Sequence, residues 1–145
     1  MRTFSTSIDI AAPPERVWAI MSDVERWHEW TASIRSIRKT DAGTLKVGSG
    51  AWVRQPKLPP AFWRVTAIEP NREFTWINKA PGIIVTARHA VEPIARGTRA
   101  TLAINYDGLV HPLIVWMIGD LNDRYLALEA NGLKRRSESP EAGLP

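Results

Sequence analysis

Three histidines and a cluster of carboxylates are the residues whose types could move protons or hold a metal. The densest group is "SDVERWHEWTASI", residues 22–34, where His28 lies one position from Glu29 and three from Glu25. In a dry site such an arrangement would make an acid/base pair. Glu25 and Glu29 are four apart and share a helix face, so on a surface the same side chains form an exchangeable ion pair or hydrogen bond worth little. Ser22 and Glu25 also match a capping box, in which the serine accepts from the Glu25 N–H and the carboxylate reaches back to the Ser22 N–H. The stretch therefore reads as a capped lid helix beginning at Ser22, with Trp27 and Trp30 on its apolar side and Trp30 as the ligand contact.

His89 is the stronger chemical candidate. It falls in "IIVTARHAVE" on the same strand face as Val85, Ala87 and Val91. A neutral imidazole there can bond a ligand carbonyl or hydroxyl, or shuttle a proton in an aldol-type ring closure. The competing reading is a core histidine bonded to backbone or buried water, since no carboxylate shares its strand face. Gln55, followed by Pro56, is either a polar anchor for a ligand or the end of its strand. Tyr106 reads as cavity wall rather than acid, because an unperturbed phenol titrates near 10. His28, His89 and His111 show none of the close spacings of a zinc or non-haem iron site. No nucleophile elbow, Walker loop or dinucleotide fingerprint occurs, so neither metal nor nucleotide cofactor is expected.

These residues must be positioned by one domain. The 145 residues carry no cysteine and a formal net charge of +4. Disulfides and thiolate metal sites are excluded, and a reducing cytoplasm is the expected compartment. The basic residues are dispersed, and aromatics are not interleaved with a basic stripe as single-strand binding requires, so no nucleic-acid partner is expected. The longest apolar run, "LIVWMIG" at 113–119, is far short of the roughly 20 residues a membrane span needs. Only the "PKLPPAF" loop at 56–62, taken as a stiff hairpin loop or a cavity rim with Leu58 and Phe62 exposed, offers a place for transient membrane contact.

Residues 3–10 alternate as a half-buried strand. "AAPPERVWAIMSD" then opens a helix on prolines, with Glu15 in its first turn. From 33 to 107 the chain reads as a meander of about six strands punctuated by Gly and Pro. Alternation puts Val53 and Gln55 on one face, then Trp63, Val65 and Ala67; Phe74 and Trp76; Val85, Ala87, His89 and Val91; Ala100, Leu102, Ile104 and Tyr106. Pro112 starts a long helix with an apolar stripe through Leu113 or Ile114, Trp116, Met117, Leu121, Tyr125, Leu128 and Leu133. Its first turns are apolar almost all round, which predicts burial on more than one side. The domain is expected to span 1–137, with 138–145 a disordered tail.

The segments "APPERVWAIMSDVERWHEW", "VRQPKLPPAFWRVTAIEPNREFTWI", "PGIIVTARHAVEP" and the final helix with "ANGLKRR" together resemble the START-like, or SRPBCC, superfamily in its polyketide cyclase/dehydrase-like branch. The resemblance implies an α+β helix-grip fold: a curved seven-stranded antiparallel sheet wrapped around a long C-terminal helix, with two short helices after strand 1. It also implies a cavity for lipids, polyketides or sterols. Its expected lining is Trp30, Gln55, Trp63, Phe74, Trp76, Val85, His89, Leu102, Tyr106, Trp116, Met117 and Leu121. Hydrophobic-ligand binding is the leading expectation. A cyclase or dehydratase using His89 is the alternative, and a protein-interaction module advertised by Trp52 on the wet sheet face is a third. Oligomeric state is left open.

Overall fold

Alternation in the sequence becomes a single antiparallel sheet in the computed structural model, which describes residues 1–140. Its strands are β1 (Arg2–Ile10), β2 (Ser36–Lys39), β3 (Gly50–Arg54), β4 (Ala61–Glu69), β5 (Glu73–Ala80), β6 (Ile83–Ile94) and β7 (Gly97–Asp107). They lie in the order β1-β7-β6-β5-β4-β3-β2. Consecutive strands are therefore neighbours, except that β1 pairs with the last strand, Phe4 opposite Ile104 and Ile8 opposite Ala100. Two helices complete the fold, α1 (Pro14–Ser22) and α2 (His111–Glu138), with a 3₁₀ helix at Val24–Glu29 between α1 and β2. The expected helix-grip architecture is present.

One face of each strand is buried and the other wet. Val53, Trp63, Val65, Phe74, Trp76, Val85, Ala87, His89, Val91, Ala100, Leu102 and Tyr106 all point into the core. Ala67 does not follow the alternation. A register shift between Val65 and Ala67 marks a β-bulge in β4, and the extra residue turns Ala67 out to solvent. The segment 41–49 also leaves the meander: Asp41 accepts from the Gly50 N–H and the Ser49 hydroxyl, folding it as a loop on the edge.

The lid differs from the expected capped α-helix. Ser22 donates to the Trp18 carbonyl at 2.7 Å, a bond back into α1, and the Glu25 carboxylate accepts from the Lys39 N–H at 3.0 Å. No capping box forms. The segment instead winds as a 3₁₀ helix, whose three residues per turn eclipse positions i and i+3. Val24, Trp27 and Trp30 are consequently stacked on one buried face. His28 faces solvent, and Glu29 pairs with Arg26 and with Arg136 of α2, the latter at 2.7 Å, not with His28.

The end of α2 is tied back to the start of the chain. Glu138 accepts from the Ala11 N–H at 2.8 Å, Lys134 donates to the Asp9 carbonyl, and Arg16 donates to the Ser139 carbonyl. The helix thus runs one residue past the expected boundary at 137, and Glu138 and Ser139 are held. The rest of the expected tail, 141–145, lies outside the described residues.

Thr98 is fully buried and donates to the Ala12 carbonyl at 2.7 Å, joining the start of β7 to the approach to α1. Replacing a buried donor leaves its acceptor dry and unpaired, which costs about 1–3 kcal/mol. Thr98→Val, nearly isosteric, is expected to lower stability by about 1–2 kcal/mol in urea unfolding. An unchanged midpoint would show that the carbonyl finds another partner.

Candidate functional site: an aromatic cavity between sheet and helix

The curved sheet and α2 do not close on each other completely. Between them lies a cavity of about 520 Å³. That volume is within the range of small-molecule sites, and so is its character, an apolar wall carrying a few placed polar groups. Trp63, Trp76, Val85, Leu102 and Tyr106 line it from the sheet, Ile114, Met117, Ile118 and Leu121 from α2, and Trp27 from the 3₁₀ helix. Loop residues Lys57, Leu58 and Pro59 form part of its rim. Of the rim residues expected to be exposed, Leu58 and Phe62 are both half-buried. Phe62 faces outward against Trp52, ring centroids 5.2 Å apart.

Three expected lining residues are elsewhere. Trp30 is buried against Trp27, centroids 5.6 Å apart, and does not reach the cavity wall. Trp27 takes the place expected for it, because the 3₁₀ turn aims Trp27 at Trp76 and His89, 5.7 Å and 5.3 Å away. Phe74 is completely buried one layer behind, stacked on the His89 ring at 4.3 Å. Trp116 is 82% exposed. It is two residues from both Ile114 and Ile118, which at about 100° per residue puts it on the far side of the helix. Met117 is also largely exposed, and meets the cavity only along its edge. The first turns of α2 are therefore open to solvent on their outer side, where burial on more than one side was expected.

His89 sits among aromatic rings and is buried. Burial pushes its imidazole down to about 3, and the nearby Phe74 backbone opposes the shift only in part. The ring is neutral at physiological pH. Among the described residues its Nδ1 has no hydrogen-bond partner. Tyr106 donates to Asn122 Oδ1 at 2.8 Å, which leaves the Asn122 amide nitrogen buried and without a partner among the described residues. Burial, assisted by the Glu129 charge, pushes the Tyr106 phenol up to about 12. Tyr106 is a hydrogen-bonding wall residue and not a proton source. Gln55 lines the cavity while its amide donates to the Ser33 carbonyl at 3.3 Å, anchoring the lid segment to the end of β3.

Two polar residues of the site escaped sequence reasoning. Glu129 lines the cavity from α2 and accepts from the Ser33 hydroxyl at 3.3 Å. Burial pushes its carboxyl up to about 7, against the smaller stabilising effect of that bond. Asn122 is the other. Both had a legible signal: 121, 125 and 129, and 118, 122 and 126, are rows four apart on the inward side of α2.

Residues 1–138 match the model of the family described as polyketide cyclase / dehydrase and lipid transport. The chain belongs to this family. No curated protein matches it. Among solved structures, the chain is similar to the Zhui aromatase/cyclase from Streptomyces sp. R1128, with a TM-score of 0.79 at 14% identity over 94% of this chain and 93% of that one. It is also similar to the di-domain ARO/CYC BexL from the BE-7585A biosynthetic pathway, with a TM-score of 0.69 at 17% identity over 93% of this chain and 46% of that one. Ara h 8.0201 has a TM-score of 0.71 at 12% identity, covering 94% and 97%. At such identities the likeness is one of fold. No helix among the described residues is long and apolar enough to cross a membrane.

Proposed function

We propose that the protein binds a small hydrophobic molecule of lipid or polyketide type inside this cavity, in a reducing cytoplasm. The observation that carries the reading is the cavity itself: about 520 Å³, walled by Trp27, Trp63 and Trp76, with unpaired polar atoms on His89 and Asn122. An apolar ligand gains roughly 25 cal/mol for each Å² it removes from water, less the cost of immobilising it. A ligand oxygen facing Asn122 would remove the penalty of its unpaired amide, which favours ligands that carry a carbonyl or hydroxyl over plain hydrocarbons.

Native mass spectrometry of the purified protein tests this reading. A co-purifying apolar molecule is the expected result, lost in Ala87→Phe, which fills the cavity from β6. An apolar fluorescent probe is expected to bind the variant about 5- to 30-fold more weakly, since about one to two kcal/mol of contact is displaced. If Ala87→Phe carries the same molecule as the parent protein, the cavity is not the site.

A cyclase or dehydratase reading is favoured by Glu129 and by the similarity to aromatase/cyclases. A carboxyl titrating near 7 beside an organic ligand can both give and take a proton, whereas an imidazole held down to about 3 is a poor proton carrier at neutral pH. Glu129→Gln abolishing turnover of a poly-β-ketone substrate while leaving its binding intact would promote this reading. Equal turnover in the variant would remove it.

A further inference from the structure

The outer side of the first turns of α2 is the largest feature that the cavity does not explain. Leu113, Trp116 and Met117 are spaced three and four apart on one exposed helix face, immediately after exposed Leu109 and Val110. Leu109 is 96% exposed. Five apolar side chains in one place exceed the scattered single residues of an ordinary surface. The stripe ends abruptly: Asp120, Asp123 and Arg124 follow on the exposed side of the next turn.

Basic side chains border this apolar end. Val110 packs on the β5–β6 turn, its N–H donating to the Gly82 carbonyl at 3.0 Å, and Lys79 stands beside that turn at the end of β5. Arg2 pairs in register with Tyr106 at the same end of the sheet, next to the Met1 amine. Lys57 stands on the rim loop across the cavity mouth. Among the described residues none of Arg2, Lys57 and Lys79 has an ion-pair partner. Asp107, at the end of β7, is engaged by the Gly108 N–H. The surface is continuous with the cavity, because Met117, Lys57 and Pro59 are both exposed and part of its wall.

We propose that this end docks on an anionic lipid bilayer, with Leu109, Leu113 and Trp116 entering the headgroup layer and Arg2, Lys57 and Lys79 facing lipid phosphates. An amphipathic tryptophan flanked by leucines is suited to that depth. Juxtaposed lysines and arginines add an attraction that depends on anionic lipid and is screened by salt. The aspartates at 120 and 123 set the depth at which entry stops. Docked this way, the cavity mouth faces the membrane, although the docking itself does not require the cavity to be filled.

Co-sedimentation of the full chain with phosphatidylcholine vesicles, with and without phosphatidylglycerol, tests the proposal. Binding is expected to the phosphatidylglycerol vesicles, at least about tenfold weaker to phosphatidylcholine alone, and weakened by salt. The double variant Leu113→Ser/Trp116→Ser should lose at least about tenfold in vesicle affinity while keeping the parent's thermal midpoint and its occupancy of the cavity. In the parent, brominated lipid should quench a part of the tryptophan emission that Trp116→Ser removes. Absence of vesicle binding, or binding equal in the double variant, overturns the proposal. So does a self-association that the same variant abolishes, since the face would then belong to a second copy of the chain.

Discussion

Gly132→Ala should destabilise the protein by about 2–3 kcal/mol, although alanine is the better helix former by about 1 kcal/mol. The reason is the closeness of α2 to the lid. A Cβ built on Gly132 would lie 2.0 Å from the Trp30 carbonyl oxygen and 3.1 Å from the Trp30 ring. The obstacle is backbone, which cannot rotate away, and the Trp30 N–H is itself bonded to the Trp27 carbonyl, so the turn is held as a unit. Accommodating the methyl means sliding the helix outward, which loosens the packing of Trp27 and Trp30 at the cavity end. Urea unfolding at neutral pH measures the effect, with Asn131→Ala, exposed on the same turn, as the control that shows propensity alone. A Gly132→Ala midpoint equal to or above the parent's would mean that the helix does not need this approach.

Glu129→Gln is expected to stabilise the protein above neutral pH and to do nothing near pH 4. The Glu129 carboxyl is raised by burial from 4.5 to about 7. An acid raised in the folded state keeps its proton there while the unfolded chain gives it up. Its cost is therefore absent below 4.5, grows from 4.5 to about 7, and is constant above. At about 1.4 kcal/mol per pH unit the full cost would be roughly 3 kcal/mol, and the partial exposure of Glu129 at the cavity wall screens it to about 2 kcal/mol. His89 acts with the opposite sign. Its pKa falls from 6.5 to about 3, so burying it neutral stabilises fully above 6.5 and that contribution is lost as pH falls towards 3. Between 4.5 and 6.5 the two slopes oppose one another and the parent should be nearly flat. The amide variant removes one of them, so its advantage over the parent should rise from near zero at about pH 4 to about 2 kcal/mol at pH 8. A difference independent of pH would show that the carboxyl is not buried as described.

Much of this arrangement was legible because a half-buried antiparallel strand writes its orientation into every second residue. Trp63, Trp76, Val85, His89, Leu102 and Tyr106 could be assigned to the inward face on alternation alone. Ala67 could not, since a bulge inserts a residue that leaves no mark on composition. The helices were harder for a different reason. Trp116 and Leu121 are equally apolar in the text, but only the angle about the helix decides which meets the cavity, and an apolar residue on the outside is invisible when the neighbouring turns are apolar too. Glu129 is a single polar letter in the helix, and only its place in line with Leu121 and Tyr125 marks it as inward. At the lid, Ser22 and Glu25 had the right spacing for a capping box, yet stronger partners, the Trp18 carbonyl and the Lys39 amide, were within reach. Local motifs lost to tertiary contacts there.

The pairing of β1 with β7 has a consequence for how the molecule is made. β1 is made before its partner, Gly97–Asp107, which follows roughly 90 residues later, a wait of about 5–20 s at ordinary rates of synthesis. Until then β1 is an unpaired edge, and α2, tied to Asp9 and Ala11 through Lys134 and Glu138, has no complete floor on which to settle. Closure of so long a loop is slow and comes late. The nascent chain must therefore hold an open, apolar trough before the last helix arrives to cover it, and that interval is one in which a hydrophobic molecule could be enclosed without ever passing through the finished mouth.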